Sequence, residues 1–162
     1  RVWDNQHVIY FGRKVTLDEV PTRRPHPFAR GVSLIGYSTR RDPRRVPDGG
    51  AVLETDLFWQ AEQAIRKDYT VFVHLYDALG RLVASHDGVP LYGYLPTSHW
   101  PVGQIVRDRH DIHLPDDLPS GEYRLTAGLY DAATGERLRL QNREGVKVTD
   151  MAELMTITVA EW

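Results

Sequence analysis

The sequence predicts an all-β fold, an antiparallel Greek-key β-sandwich of the immunoglobulin, fibronectin-III or jelly-roll kind with about nine or ten strands. Apolar and polar residues alternate with a period of two along much of the chain, and Gly, Pro and Asp turn signals separate the alternating segments. A Pro-Gly corner at Pro119–Gly121 leads into Tyr123 at the start of a strand, which resembles the tyrosine corner of Greek-key sandwiches. A closed barrel is the alternative that this pattern leaves open.

The first half of the chain contains four predicted strands. Val8–Phe11 and Val32–Tyr37 are short apolar runs, whereas Leu53–Trp59 alternates apolar positions with outward-facing carboxylates. Val71–Tyr76 alternates three aliphatic side chains with three that carry rings. Gln60–Lys67 has the composition of a helix but is too short to be stable alone, so it is predicted as a loop or as one or two helical turns.

The second half contains five predicted strands. Arg81–Ser85 follows a turn that begins with Asp and ends with Gly, and Arg137–Gln141 follows a second turn of the same type. Tyr123–Tyr130 and Leu154–Val159 alternate in the usual way. In Ile105–Leu114 the apolar residues near the end share one face with a histidine, and the opposite face carries arginines and is predicted to be solvated.

Length and composition restrict the function classes. The chain has 162 residues, a formal net charge of −2, 41% hydrophobic residues and no cysteine. One domain is expected, with residues 1–29 as an N-terminal extension that adds a strand and residues 30–162 as the sandwich. The composition excludes a disulfide scaffold, a thiol nucleophile and a globally basic nucleic-acid binder. The chain begins with Arg1 rather than Met, so it is expected to be a fragment or a processed form.

Catalytic and metal-binding patterns are not found in the sequence. There is no Gly-x-Ser-x-Gly motif, and the run Ser85–Asp87 places its side chains on alternating faces of a strand, which a catalytic triad cannot use. His110 and His113 are three residues apart, a spacing that a strand divides between its two faces. The sequence therefore predicts no enzyme activity for this chain, no metal and no cofactor.

The segment Asp87–Asp108 is the most unusual part of the sequence. A connection of this length between strands is longer than average, and long connections often carry function. Aromatic faces beside carboxylates are typical of sugar recognition, because C–H groups stack on the ring and the carboxylates bind hydroxyls. The predicted ligand-binding residues are Asp87, Tyr92, Tyr94, His99, Trp100 and Asp108. The alternative is that Trp100 packs beneath the connection and Asp108 accepts hydrogen bonds from Thr97, Ser98 or loop amides.

A second candidate surface is basic. Arg40, Arg41, Arg44 and Arg45 lie in one loop, and residues 1–45 contain ten Lys and Arg against four Asp and Glu. Such a loop is predicted to contact phosphate of a lipid headgroup or of a lipid-linked sugar. The alternative is a solvated hairpin tip, and the loop lacks the interleaved aromatics that single-stranded nucleic acid requires.

Seven motifs occur in a characteristic order, and they are Leu34–Tyr37, Leu57–Trp59, Asp68–Leu75, Pro96–Trp100, Leu118–Tyr123, Gly128–Asp131 and Thr134–Leu138. As a set they resemble the soluble β-sandwich region near the C-terminus of bacterial membrane proteins of the glycosyltransferase 39 (protein mannosyltransferase-like) kind, notably in Chloroflexi. The resemblance covers roughly residues 30–160 and implies a location on the extracytoplasmic face of the cell membrane. It also implies a membrane-embedded portion of the same polypeptide that uses lipid-linked sugars, and it supplies no catalytic residues for this region.

The expected function is therefore that of a non-catalytic accessory domain of a membrane glycosyltransferase-like protein, with weak binding of a glycan or acceptor. The alternative is a structural or protein-interaction module without a ligand of its own.

Overall fold

The computed structural model describes residues 15–40, 43–47, 50–141 and 149–160, and these form two antiparallel sheets packed as a β-sandwich. The predicted fold class is confirmed, and the predicted strand Val8–Phe11 lies outside the described residues. The strands are β1 (Thr22–Pro27), β2 (Val32–Thr39), β3 (Arg44–Arg45), β4 (Ala51–Ala61), β5 (Thr70–Tyr76), β6 (Leu82–Gly88), β7 (Ile105–Leu114), β8 (Gly121–Tyr130) and β9 (Ala152–Val159). Single 3₁₀ turns occur at Leu17–Glu19, Ala29–Gly31 and Thr97–His99.

The first sheet has the order β1-β2-β4-β3, with β7 also paired to β4, and the second sheet has the order β6-β5-β8-β9. Strands β4 and β7 are neighbours although two strands of the other sheet separate them in sequence. Strands β5 and β8 are also neighbours, although β6 of the same sheet and β7 of the other sheet lie between them in sequence. The chain therefore crosses between the sheets before β5 and again on both sides of β7. Crossovers of this kind are what the Greek-key prediction requires.

The core lies between the two sheets and consists of the inward-facing residues of both. Trp59 is completely buried at its centre, with ring centroids 6.0 Å from Phe28 and 6.2 Å from Trp100. At the end of the sandwich the phenol of Tyr123 donates a 2.6 Å hydrogen bond to the carbonyl of Pro119, so the predicted tyrosine corner is confirmed.

The structure decides two sequence predictions, the strand at Arg137–Gln141 and the loop or helical turns at Gln60–Lys67. Arg137–Gln141 forms only single-residue bridges, one to Tyr130 in the second sheet and one to Phe28 beside the first, because it runs across the side of the sandwich instead of along one sheet. Strand β4 extends through Ala61, and no helix follows it before β5, so the loop alternative for Gln60–Lys67 is correct. Within the described ranges, no helix is long and apolar enough to cross a bilayer.

Gly128 provides a test of the packing on the outer face of the second sheet. A Cβ atom at Gly128 would lie 2.4 Å from Cζ of the buried Phe72 and 3.1 Å from the carbonyl oxygen of Asp150. We therefore expect Gly128→Ala to lower the free energy of unfolding by about 1–3 kcal/mol through overpacking, measured by urea denaturation. Gly88→Ala is the matched control, because its Cβ would meet only His86 Cε1 at 3.8 Å. Equal stability of the two variants would contradict the close approach of the Phe72 ring to the backbone at Gly128.

Candidate functional site

The connection between β6 and β7 forms a tightly wound segment at residues 89–95. The amide of Gly93 donates to the carbonyl of Val89 at 3.0 Å, and the amide of Leu95 donates to the carbonyl of Pro90 at 3.2 Å. Leu91 and Tyr92 have φ angles of 53° and 55°, a left-handed conformation that costs a non-glycine residue about 1–2 kcal/mol. Two such residues in succession persist only where other contacts hold them.

Asp108 on β7 supplies the contact that holds this segment. Its carboxylate is 1% exposed, and Oδ1 accepts a 3.0 Å hydrogen bond from the amide of Leu91. Its Oδ2 lies 2.6 Å from Nε2 of His110, which is equally buried. His110 in turn places Nδ1 2.8 Å from Nδ1 of His86 on β6. This Asp108–His110–His86 chain joins the edge strands of the two sheets and fixes the backbone of the connection.

The proton positions in the Asp108–His110–His86 hydrogen bonds follow from which ring nitrogen atoms can donate. If Nε2 of His110 donates to Asp108, neutral His110 presents a lone pair at Nδ1, and His86 must donate its Nδ1 proton. Burial, followed by the neighbouring His110, lowers the pKa of His86. Both effects favour the neutral imidazole of His86, and the 2.8 Å contact requires that one of the two Nδ1 atoms carries a proton and the other does not.

Tyr92 borders a cleft of about 470 Å³ on the outer face of the first sheet. The cleft lies over β4 and β7, and its lining includes Asp56, Phe58, Leu91, Tyr92, Arg107 and Arg109. The side chain of Tyr92 is 63% exposed, whereas Phe58 is buried in a small apolar cluster on the same face. The cleft therefore has an accessible aromatic ring at its border and an apolar base.

The polar wall of the cleft is a ladder of ion pairs between β4 and β7. Arg107 Nη2 lies 2.7 Å from Asp56 Oδ2, and Arg109 Nη2 lies 3.1 Å from Glu54 Oε1. A 2.8 Å hydrogen bond from Arg109 Nε to Asp111 raises the pKa of Arg109. These guanidinium and carboxylate groups hold each other in place, and their remaining N–H groups and lone pairs are available for hydroxyl groups of a ligand.

The structure separates the six residues that the sequence predicted as one ligand site. Tyr92 and Tyr94 are 63% and 56% exposed, and only Tyr92 borders the cleft. His99 is exposed, with Nδ1 3.0 Å from Oγ of Ser98. Three residues of the predicted set therefore lie at the surface of the connection, and one of them faces a cleft.

The prediction is corrected at Trp100 and Asp108. Trp100 is 4% exposed and donates from Nε1 to the carbonyl of Leu95 at 3.0 Å, so it packs beneath the connection and offers no face for stacking. Asp108 accepts a hydrogen bond from the Leu91 amide, as the alternative interpretation expected of a loop amide. Both residues are buried because the connection folds back over the core, and Asp108 binds the amide of the residue before Tyr92.

Asp87 belongs to a different surface, the outer face of the second sheet. Its Oδ1 lies 3.3 Å from Nε2 of His74, and its Oδ2 accepts a 3.0 Å hydrogen bond from the phenol of Tyr130. Burial lowers the pKa of His74, and the negative charge of Asp87 opposes this shift. Asp87 therefore organises a small polar cluster that is separate from the cleft beneath Tyr92.

Sequence reasoning did not assign Asp56, Arg107 and Arg109 to a ligand site. The alternation did predict that all three face outward from their strands. Their convergence depends on the β4–β7 register, in which Asp56 lies opposite Arg109 and Phe58 lies opposite Arg107. This register pairs segments about fifty residues apart, which local patterns cannot specify.

In the basic loop, Arg44 forms an ion pair with a carboxylate of β4. Arg44 Nε lies 3.2 Å from Oε1 of Glu54, and Arg40, Arg44 and Arg45 are exposed. Arg41 lies outside the described residues. Contact of this loop with phosphate stays a prediction. In the part of the chain that the structure describes, no group of three or more His, Asp or Glu side chains is arranged to hold a metal ion.

Comparison with known proteins shows the fold. No protein-family model and no curated protein matches the chain. The C-terminal domain of Wzt is similar in structure, with a TM-score of 0.53 and 17% sequence identity over 91% of this chain and 90% of that one. A β-glucuronidase from glycoside hydrolase family 2 matches with a TM-score of 0.47 and 17% identity, over 73% of this chain and 10% of the enzyme. The chain thus has the β-sandwich architecture, and its resemblance to the glycosyltransferase 39 kind stays a prediction.

Proposed function

We propose that this chain is a non-catalytic glycan-binding β-sandwich module and that the cleft beneath Tyr92 is its binding site. One observation carries the proposal. Tyr92 is held in a left-handed backbone conformation, with its ring exposed, beside a wall of fixed arginine and carboxylate groups. Strained backbone conformations are concentrated at ligand-binding and active sites. A binding role therefore explains why the strained conformation is kept at this exposed tyrosine.

The chemistry of the cleft suits a saccharide. Pyranose rings present an apolar C–H face that stacks on an aromatic side chain and hydroxyl groups that both donate and accept hydrogen bonds. In this cleft Tyr92 supplies the aromatic face, Asp56 supplies acceptors, and Arg107 and Arg109 supply donors. A volume of about 470 Å³ lies within the usual range of small-ligand pockets and accommodates one or two sugar units.

The cellular setting is part of the same proposal and is supported by the sequence motifs. The module is placed on the extracytoplasmic face of the cell membrane, next to a membrane-embedded portion of the same polypeptide. There it helps a glycosyltransferase-like enzyme to engage a glycan, an acceptor or a lipid-linked sugar. The cleft contributes binding energy in this arrangement, and catalysis belongs to the membrane portion.

We expect Tyr92→Ala to weaken oligosaccharide binding about tenfold, because an aromatic contact contributes about 0.5–1.5 kcal/mol beyond its buried area. Wild-type binding is expected near a Kd of about 1 mM, or about −4 kcal/mol. NMR titration with neutral hexose and N-acetylhexosamine oligomers measures both values. Tyr94→Ala is the matched control, because Tyr94 is similarly exposed and does not line the cleft.

Equal affinity of the Tyr92→Ala and Tyr94→Ala variants would contradict the assignment of the cleft. Chromatography of the same sugars after prolonged incubation tests the non-catalytic part of the proposal. Intact oligosaccharides are expected, and cleavage or transfer products would contradict it.

A protein-interaction module is the second candidate function, and the β5–β6 hairpin favours it. Leu79 and Leu82 are both exposed on this hairpin, although single exposed leucines are common. Sedimentation of the protein over a range of concentrations tests this alternative. Strictly monomeric behaviour together with glycan binding would exclude self-association as the function.

A further inference from the structure

A second cleft, of about 680 Å³, lies on the opposite side of the sandwich from the one beneath Tyr92. It is bordered by β1, by the outer face of the second sheet and by the segment that runs across the side of the sandwich. The lining residues that matter here are Arg24, His26, Tyr76, Arg124 and Arg139. None of them lines the first cleft, so the two clefts are independent.

Among the described residues, some arginines of this cleft pair with a carboxylate and others do not. Arg124 Nη1 lies 2.8 Å from Oε1 of Glu153, so the charge of each offsets the other. Asp150, the second acidic group of the cleft, lies 3.4 Å from Nη1 of Arg137. Arg24 and Arg139 are exposed, and neither forms an ion pair with a carboxylate of residues 15–40, 43–47, 50–141 or 149–160. Among the residues that the structure describes, these two guanidinium groups therefore have no carboxylate partner.

The arginines extend from backbone that is held by hydrogen bonds. The carbonyl of Arg139 accepts a 2.8 Å hydrogen bond from the amide of Ala29, and the next amide, of Leu140, donates to the carbonyl of Thr149 at 2.8 Å. Arg24 lies at a register shift in β1 and is flanked by the pairs Arg23–Gly36 and His26–Leu34. Backbone that is already held on both sides does not have to be ordered when a ligand binds.

His26 adds a polar group without a partner. Its Nε2 is buried and forms no hydrogen bond among the described residues. Burial is the larger cause and the positive charge of Arg24 the smaller cause of a lowered pKa at His26. Because His26 and Arg24 both line the cleft, the imidazole lies where it can report on a negative charge that enters the cleft.

We propose that this second cleft binds a ligand that bears an oxyanion, a carboxylate or a phosphate, through Arg24 and Arg139. Guanidinium groups match the two-oxygen geometry of both anions and form charge-assisted hydrogen bonds with them. The ring of Tyr76 provides an aromatic surface for the remainder of the ligand. An acidic or phosphorylated saccharide fits this combination, whereas a neutral saccharide leaves the two charges unmatched.

The experiment follows the imidazole resonances of His26 by NMR while inorganic phosphate, galacturonate or galactose is added. Both anions are expected to shift these resonances saturably and to raise the pKa of His26, because the bound negative charge offsets that of Arg24. Galactose is expected to have no such effect. The anion that binds with the higher affinity shows whether the ligand of this cleft carries a phosphate or a carboxylate.

The double variant Arg24→Gln with Arg139→Gln tests whether these two arginines bind the anion. Both side chains are exposed, so the fold is expected to persist, and circular dichroism checks that it does. The affinity for the preferred anion is expected to fall by about tenfold or more. Arg66→Gln is the charge-matched control, because Arg66 is exposed and does not line this cleft, and it is expected to bind as the wild type does.

Unchanged binding in the double variant, or an equal response to galactose, would overturn the proposal. So would a failure of both anions to shift His26. The Tyr92→Ala variant separates this result from the proposed glycan site, because it is expected to keep the full anion response. Loss of neutral-sugar binding with intact anion binding, or the reverse, therefore identifies which of the two sites has been assigned wrongly.

Discussion

Replacement of Asp108 by alanine is expected to lower the free energy of unfolding by about 2–6 kcal/mol, because two buried donors lose their acceptor and each such loss costs about 1–3 kcal/mol. Asp108 and His110 are both almost inaccessible to solvent and lie 2.6 Å apart. The substitution leaves Nε2 of His110 and the amide of Leu91 without acceptors, and both groups are held away from water.

Urea denaturation of the purified variants measures this effect. Asp111→Ala is the matched control on the same strand, since its carboxylate is partly exposed and its main partner is Arg109. A partly exposed ion pair contributes about 1 kcal/mol or less, so this variant is expected to remain close to the wild type. A loss of less than about 1 kcal/mol in Asp108→Ala would show that the Asp108–His110–His86 chain does not hold the fold at this edge.

Asp108→Ala is also expected to reduce glycan affinity, although Asp108 does not contact the cleft. Without the acceptor for the Leu91 amide, the left-handed conformation of Leu91 and Tyr92 loses its main support. A folded Asp108→Asn variant separates the two effects, because its amide oxygen can still accept from Leu91. Glycan binding by Asp108→Asn at close to wild-type affinity, together with weak binding by Asp108→Ala, is the expected pattern.

Acidification is expected to destabilise the protein from about pH 6.5 downward, well above the range in which carboxylates are protonated. The pKa values of His26, His74 and His86 are all lowered in the folded state, with burial as the largest cause in each case. The unfolded chain therefore takes up protons at a pH where the folded protein does not. Stability is present above the unfolded pKa and is lost as the pH falls through that value toward the folded pKa.

Urea denaturation at a series of pH values from about 8 to about 5 measures this dependence. His86→Gln is expected to flatten the slope, because it removes one of the three groups that bind extra protons on unfolding. His113→Gln is the control, since His113 is exposed on the outer face of β7. A stability that is constant between pH 8 and pH 5 would contradict the burial of neutral imidazoles in this sandwich.

Local patterns were sufficient to predict the architecture. The period-two alternation located β4, β5, β7 and β8, and the Pro-Gly corner identified the hydrogen bond of Tyr123. Residues 1–29 were predicted to add a strand, but the local pattern did not locate β1, because its sequence contains two prolines and two arginines and has no apolar alternation. Its pairing with β2 comes from the tertiary structure.

The site could be predicted only in part. Of the six residues that the composition of residues 87–108 singled out, Tyr92 lies exposed at the border of a cleft, and its role in binding stays a prediction. The same composition could not distinguish a surface tryptophan from Trp100, which fills the core beneath the connection. Asp56, Arg107 and Arg109 were recognisable as outward-facing residues, and only the pairing of β4 with β7 brings them together.

The central claim is that the cleft beneath Tyr92 binds a glycan, and mapping of backbone amide chemical shifts during an oligosaccharide titration tests it most directly. Saturable shifts are expected to concentrate at residues 91–93 and at the facing positions of β4 and β7, Asp56 to Phe58 and Arg107 to Arg109. Shifts confined to the β5–β6 hairpin, or no saturable shift with any neutral oligosaccharide of the panel, would contradict it.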